Sequence, residues 1–470
     1  SLMIQAILPQ TADSQVQPHD NPLGYAPVEK LIAMYAIPAI LSMLVTAAYN
    51  ITDQIFIGNV VGMHGNEATN IVFPTVTLTI AFAQMAGIGT AANFNIYMGK
   101  NEKEEAKRYI GTGITFMGIL GILIMMIVFI FKRQILLICG ATEASMPLAM
   151  SYLTITNIGL PFFLFSNGGC HMIRADGSPM YSMLCNVSGA LLNVFLDALF
   201  MYGFGWGIQG AALATVTGQI FSFILCVAYF PRMKSFRFSI QMLGIRAPYL
   251  IQIMKLGLSN FINQIIMMIV NITLNNMLKT YGAVSVYGED IPLAVSGVVA
   301  KLNTIVTSFS VGLAQGCQPI WGFNLGAKKY GRVKETYKKA LAAALSVGFV
   351  VFAAFQLFPT QIVSIFGSGE ALYYEFATKY MRIYLMLVFA QTIQPLSVNY
   401  FTGIGNMRQG VLISLSRQGF LLLPMLIIFP KIFGGINGIL YAGPTSDVIA
   451  GVLAISMVIY NFKHLEQRDT

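Results

Sequence analysis

Long apolar stretches alternate with short polar stretches along almost the whole chain. Each apolar stretch has about 20 residues or more, the length that an α-helix needs to cross the hydrocarbon core of a bilayer. Twelve transmembrane helices are predicted, at Leu31–Gly58, Asn70–Met98, Tyr109–Phe131, Pro147–Asn167, Tyr181–Gly203, Gly210–Phe230, Leu256–Leu278, Pro292–Trp321, Ala340–Pro359, Ile383–Thr402, Val411–Pro430 and Gly438–Phe462. The pattern therefore predicts an all-α integral membrane protein.

The charged stretch Arg232–Lys255 divides these twelve helices into six and six. We predict a polar N-terminal tail at 1–30, an N-terminal lobe at 31–231, a linker at 232–250, a C-terminal lobe at 251–463 and a short tail at 464–470. Each lobe would then be a bundle of six helices.

Composition supports a membrane protein and excludes several other classes. Hydrophobic residues make up 56% of the chain and charged residues 10%, with a mean hydropathy of +0.68. A soluble domain carries about 25% charged residues. A soluble globule, a nucleic-acid-binding protein and a secreted disulfide scaffold are all disfavoured.

Basic residues are distributed unevenly between the two sets of loops. If both termini lie on one side, most loop lysines and arginines fall on that side. The opposite loops carry Lys132, Arg133, Lys279, Lys379 and Lys431. Basic loops remain in the cytoplasm, so we expect cytoplasmic termini, and a net charge of +9 needs no nucleic-acid partner.

The two halves of the chain repeat each other. The segment Gly-Ile-Gln-Gly at 207–210 matches Gly-Ile-Asn-Gly at 435–438, 228 residues later. Further matches, at nearly the same offset, link 98–100 with 325–327 and 174–177 with 402–405. Since each half has six helices, the repeat is parallel, a form typical of transporters whose lobes move around a central site.

Acidic residues at membrane depth are rare, and their positions break the repeat. Asp53 and Asp197 correspond to Leu274 and Met425 in the second half. Asn193 lies four residues before Asp197, on the same helix face. An ionisable group in a membrane costs about 3 kcal/mol or more and usually has a function. We interpret these residues as a proton or cation site in the first lobe, against the alternative of acids satisfied by neighbouring hydroxyl groups and backbone.

Three further charged residues, Lys301, Arg417 and Asp447, are predicted within helices of the second half. Arg417 and Asp447 are expected to approach each other, because a short loop joins their helices. Two roles remain open for these residues, mutual neutralisation in the lobe interior and contact with a substrate.

Other chemistry finds little support in the sequence. The five cysteines are scattered, no P-loop occurs, and no serine, histidine and aspartate constellation is evident. We expect no enzyme activity, no cofactor, no disulfide and no transition-metal site.

Several short motifs, in chain order, resemble the multidrug and toxic compound extrusion (MATE) family. They are Tyr49-Asn50-Ile51-Thr52-Asp53, Met98-Gly99-Lys100, Arg174-Ala175-Asp176-Gly177-Ser178-Pro179, Gln318-Pro319-Ile320-Trp321-Gly322-Phe323-Asn324-Leu325-Gly326-Ala327 and Ser416-Arg417-Gln418. The last of these, with Pro444 and Asp447, is similar to the DinF/MepA-like branch. The resemblance covers Leu31–Phe462.

This resemblance implies two six-helix bundles arranged as a V. It also implies a cation-coupled antiporter, driven by H⁺ or Na⁺, that exports small organic and often cationic compounds by alternating access. The implied coupling residues are Asp53, Asn193, Asp197 and Thr215, which would also be the ligands of a sodium ion. A monomer in a bacterial plasma membrane is expected.

The alternative function is a flippase of lipid-linked glycan precursors. Such a protein needs several basic residues in its central cavity to bind pyrophosphate. Only Lys301 and Arg417 are available at depth, so the sequence favours the antiporter.

Overall fold

The computed structural model describes residues 21–465 except 144, 289 and 366–368, so most of the predicted N-terminal tail and residues 466–470 lie outside the described part. Every regular element in the described part is helical, which confirms the predicted fold class. The uninterrupted helices are α1 (Val28–Val60), α2 (Met63–Gly99), α3 (Lys103–Ile138), α4 (Met146–Ala175), α5 (Pro179–Asp197), α6 (Ile208–Tyr229), α7 (Ala247–Ala283), α8 (Asp290–Gly326), α9 (Tyr330–Leu357) and α12 (Ile436–His464).

Most of these helices are longer than the apolar stretches that predicted them. A helix forms hydrogen bonds among its own backbone N–H and C=O groups, which lipid cannot bond. The helices therefore extend beyond the apolar stretches into the polar residues at their ends. α1 begins at Val28, directly after Pro27 and inside the predicted tail. α7 begins at Ala247, inside the predicted linker, with Pro248 in its first turn, where a proline costs no hydrogen bond.

The tenth predicted transmembrane stretch, Ile383–Thr402, is not one regular helix in the structure. The structure has three pieces that together form α10, at Ala371–Ile383, Val388–Gln391 and Ile393–Gly403. At the first break the backbone bonds shorten to i→i−3, from Met386 N to Ile383 O and from Val388 N to Leu385 O. In the described part, eleven helices are long and apolar enough to span a membrane, and α10 completes the set only as an interrupted helix.

α11 also has an irregular middle. Its α-helical ends, Met407–Leu415 and Leu423–Ile432, flank a π-helical segment at Ser416–Leu422. A second π-helical segment, Ala198–Gly203, directly follows α5. Such segments are uncommon and often mark functional sites.

The two lobes pack closely near the face at which α1 begins and α12 ends, called here the terminal face. A Cβ atom on Gly89 of α2 would lie 2.1 Å from the carbonyl oxygen of Ile253 in α7. One on Gly316 of α8 would lie 2.4 Å from Cα of Ala36 in α1. Only glycine permits such backbone approach, so these lobes touch backbone to backbone in the half of the protein nearest the terminal face.

The start of the first lobe is held by the second lobe at this face. The short helix Pro22–Tyr25 precedes α1, and Asn324 Nδ2 donates to the Leu23 carbonyl at 2.9 Å. Arg332 donates to the same carbonyl at 3.1 Å and to that of Ala26 at 2.6 Å. We call this set of contacts the N-terminal clasp.

The linker between the lobes is anchored on Asp176, which follows α4. Its carboxylate accepts hydrogen bonds from the backbone amides of Lys234 at 2.7 Å and Ser235 at 3.1 Å, and from the Tyr229 hydroxyl. Burial raises the pKa of the Asp176 carboxyl, an effect that these hydrogen bonds oppose. These hydrogen bonds therefore attach the beginning of the linker to the first lobe.

Candidate functional site

Two acidic side chains face each other inside the first lobe. Asp53 lies on α1 and Asp197 is the last residue of α5, with residue exposures of 8% and 0%. Their carboxyl groups are close enough to interact directly. Because two ionised carboxylates can only accept, a hydrogen bond forms between them only when one is protonated.

Several oxygen atoms in this region are buried without a hydrogen-bond partner among the described residues. They are Asp53 Oδ1, Asn193 Oδ1 and both carboxyl oxygens of Asp197. Buried polar atoms without partners are rare in folded proteins and call for an explanation. A proton shared between the acids, a sodium ion or a cationic group of a ligand would each satisfy them.

Close packing of α5 against α6 positions the other two predicted site residues. A Cβ atom on Gly218 of α6 would lie 3.2 Å from Cβ of Asn193. Thr215 is three residues earlier on α6, and its hydroxyl donates to the Ala211 carbonyl at 3.1 Å. The hydroxyl oxygen keeps its lone pairs for another partner. α1, α5 and α6 thus bring the four predicted residues to one region of the lobe.

Two tyrosines belong to this site and were missed in the sequence. Tyr152 on α4 lies near Thr215 and close to both acids. Tyr49 on α1, one turn before Asp53, is also close to both acids. Tyr152 matches Tyr380 at the 228-residue offset, so the asymmetry between the halves that singled out the acids could not reveal it.

The second lobe has apolar side chains at the positions that correspond to the acid pair. Leu274 is buried in the apolar core of that lobe, and Met425 packs against the same core. The space that holds Asp53 and Asp197 in the first lobe is therefore filled by hydrocarbon in the second. The acid pair is a property of one lobe and not of the shared fold.

The second lobe instead holds a buried ion pair. Arg417 Nε on the π-helical segment of α11 donates to Asp447 Oδ1 on α12 at 2.7 Å. The other Asp447 oxygen accepts from Gln391 Nε2 of α10 at 3.1 Å. The predicted approach of Arg417 and Asp447 agrees with this geometry. Lys301 is exposed on α8 and does not take part in the pair.

Comparison with known proteins identifies the family. The MatE family model matches residues 38–199 and 265–428, which is most of the chain. The chain therefore belongs to the MatE family, and the protein is a multi-pass membrane transporter and not an enzyme.

Relatives and solved structures agree with this assignment. Multidrug export protein MepA of Staphylococcus aureus is 25% identical over 95% of this chain and 96% of its own length, which supports the MepA-like branch. A ligand complex of the MATE multidrug transporter DinF-BH is 28% identical, covers 97% of this chain and 99% of its own, and has a TM-score of 0.86.

An outward-facing conformation of a multidrug resistance MATE family transporter of the MOP superfamily has a TM-score of 0.88. It is 21% identical to this chain and covers 95% of this chain and 98% of its own length. Because this identity is low, the similarity supports the fold alone. The staphylococcal relatives support a location in a bacterial plasma membrane.

Proposed function

We propose that the protein is a cation-coupled antiporter that exports small organic cations. The observation that carries this proposal is the Asp53 and Asp197 pair, with its buried and unpartnered oxygens. Two carboxyl groups so close in a region of low dielectric constant cannot both stay ionised without a compensating positive charge. A proton, a sodium ion or a cationic substrate supplies that charge.

Coupling follows if these cations bind in turn. When a proton or sodium ion occupies the acid pair, it removes the negative charge that attracts an organic cation. When the substrate occupies the pair, the ion must leave. Mutually exclusive occupancy links inward flow of the ion to outward flow of the substrate.

Transport also needs two states of the lobes. The close glycine contacts between Gly89 and Ile253, and between Gly316 and Ala36, support a state closed at the terminal face. With the termini in the cytoplasm, this state releases substrate to the outside. Opening at the terminal face requires the N-terminal clasp to release or to move with the second lobe. A ligand shifts this equilibrium by its difference in affinity for the two states.

The substrate class rests on charge and on the relatives. MepA is a multidrug export protein, and DinF-BH is a multidrug transporter that was solved with a bound ligand. The first-lobe acids would favour the cationic compounds within a multidrug substrate range. The flippase alternative is weakened further. Asp447 offsets the positive charge of Arg417. Of the three charged residues predicted at depth, Lys301 is then the one base whose charge is not offset by another of the three.

The test is efflux of a fluorescent cationic dye from a host that lacks its own drug pumps. Asp53→Asn and Asp197→Asn keep the size of each side chain but cannot take up and release a proton, and they weaken any sodium site. We expect each variant to abolish gradient-driven efflux at an expression level equal to that of the wild type.

Glu104→Gln is the matched control, because this carboxyl is 80% exposed at the start of α3 and pairs with Lys107 on the surface. It should leave efflux unchanged. Normal efflux by both aspartate variants would refute the acid pair as the coupling site.

A further inference from the structure

Irregular backbone converges on one place inside the second lobe. α10 breaks at 384–387, and α11 becomes π-helical at Ser416–Leu422. Both irregular segments lie beside the Arg417 and Asp447 pair, since Gln391 of α10 and Arg417 of α11 bond to the two oxygens of Asp447. Arg417 is about 15 Å along α11 from its start, which is near the middle of the membrane.

Such interruptions at membrane depth need a reason. Nonhelical backbone is tolerated in a bilayer only where protein buries it or where it lines a cavity. In transporters, interrupted helices near the midplane commonly form binding sites. The first break, at 384–387, contains no proline or glycine, whereas the second, at Thr392, comes one turn before Pro395 and is explained by it.

In this ion pair the hydrogen bonding of Asp447 is complete, whereas that of Arg417 is not. Both oxygens of Asp447 accept hydrogen bonds, from Arg417 and from Gln391. Arg417 donates only from Nε to the residues that the structure describes, and its side chain is 10% exposed. A guanidinium group has five N–H donors, so the four on its Nη atoms have no protein acceptor there.

A neighbouring polar atom is unpartnered as well. Gln418 follows Arg417 in the π-helical segment, is 8% exposed, and its Oε1 has no hydrogen-bond partner within the described part of the chain. A buried polar atom without a hydrogen bond is unfavourable, because it has lost its water partners and gained none from the protein. The region thus offers N–H donors on Arg417 and an acceptor on Gln418 that make no hydrogen bond to the described protein.

We propose that this region is a second substrate subsite, in which the Nη groups of Arg417 bind a carboxylate of the exported molecule. A planar guanidinium binds a carboxylate through two parallel hydrogen bonds. Asp447 orients Arg417 and keeps the empty subsite neutral. The ligands are zwitterionic organic compounds, whose own cation offsets the bound carboxylate. This subsite rests on the proposed export of organic cations.

The test compares two dyes that differ in one group. Rhodamine 6G carries an ethyl ester, and its de-esterified form carries a carboxylate on the same cationic ring system. Binding of each to the purified protein in detergent is measured by fluorescence polarisation. Arg417→Lys keeps a positive charge beside Asp447 but cannot form the two parallel bonds. We expect about tenfold weaker binding of the carboxylate dye and less than about twofold change for the ester.

Two further variants make the result independent of folding. The double variant Arg417→Gln with Asp447→Asn removes both charges together and avoids a stranded buried ion. It should also lose affinity for the carboxylate dye and keep that for the ester. Arg133→Lys, at an exposed position near the end of α3, should alter neither. Binding of the ester dye by each variant demonstrates that its first-lobe site is intact.

Three outcomes would overturn the subsite. One is unchanged affinity of Arg417→Lys and the double variant for the carboxylate dye. The second is a wild-type protein that binds the ester and not the carboxylate dye. The third is an equal loss of affinity for both dyes, which would assign Arg417 a structural role. Failure of the wild type to bind either dye would instead contradict the proposed export of organic cations.

Discussion

The proposed function of the first lobe depends on a few individual oxygen atoms. Asp53, Asn193 and Asp197 all hold buried oxygens without a partner among the described residues, whereas Thr215 has one hydrogen bond and a free acceptor. A proton needs only the two carboxyl groups. Sodium needs several hard oxygen ligands, as Ca²⁺ and Mg²⁺ do. The contribution of the two neutral residues therefore distinguishes the coupling ions.

We predict different effects of Asn193→Ala and Thr215→Ala for the two ions. If protons drive export, each variant should retain most of its efflux, because the acids remain. If sodium does, each should lose nearly as much as Asp53→Asn. The measurement is dye transport in proteoliposomes with an imposed proton or sodium gradient. Loss of transport by both variants under a proton gradient, with no response to sodium, would contradict this assignment.

How much of this site the sequence could predict depends on the residue. Asp53 and Asp197 are recognisable because their counterparts Leu274 and Met425 are apolar. Tyr152 was not recognisable, because its counterpart is Tyr380 and tyrosine is common in apolar stretches. The unpartnered state of the Arg417 Nη groups was equally hidden, since it depends on the orientation of one side chain.

At the scale of elements, most helices followed from hydropathy alone, and the exceptions lie in α10 and α11. A hydropathy pattern contains no information on whether a backbone bond is i→i−4 or i→i−3. The interruption at Thr392 comes one turn before Pro395, which cannot bond the Gln391 carbonyl. The first break, at 384–387, has no such residue and lies close to tertiary contacts. Gly348 of α9 lies against Cα of Phe389, and Gln391 is drawn to Asp447. The sequence predicted that a tenth element crosses the membrane but not that it is interrupted.

The N-terminal clasp leads to a prediction for one contact between elements. Arg332→Gln removes the donors to the carbonyls of Leu23 and Ala26. The clasp should then open more often, since hydrogen bonds from a charged group contribute about 1.5–3 kcal/mol. A cysteine introduced at Leu23, which is 2% exposed, should react with a thiol reagent roughly tenfold faster.

Lys338→Gln is the control for this experiment, because Lys338 is exposed on the same helix, α9. It should leave the labelling rate of the Leu23 cysteine unchanged. The native Cys139 is partly exposed, so it is replaced by serine in all variants. Equal labelling rates with and without Arg332 would show that this residue does not hold the clasp closed.

At the scale of the whole molecule, the arrangement in the membrane is itself a prediction. The excess of basic loop residues on the terminal face predicts that this face is cytoplasmic. A cysteine at Val286, which is 75% exposed between α7 and α8, should react in intact cells with an impermeant thiol reagent. One at Glu104, on the terminal face, should react only after the cells are permeabilised. The reverse pattern would invert the topology.

The two lobes share one fold but differ in their buried charged groups. Each lobe repeats the same six-helix plan, yet one holds an acid pair and the other a neutral ion pair with unused donors. The sequence repeat predicted the shared plan, and the departures from it led to the two proposed sites. The proposed cation site in one lobe and the proposed carboxylate subsite in the other would together fit molecules that carry both kinds of group.

Exclusive occupancy of the Asp53 and Asp197 pair is the central claim, and dye affinity tests it most directly. Binding of a cationic dye to the purified protein is measured at several pH values and several sodium concentrations. We predict that low pH or added sodium weakens binding by the wild type and has no such effect on the double variant Asp53→Asn with Asp197→Asn. Wild-type affinity that is independent of both pH and sodium would contradict the account.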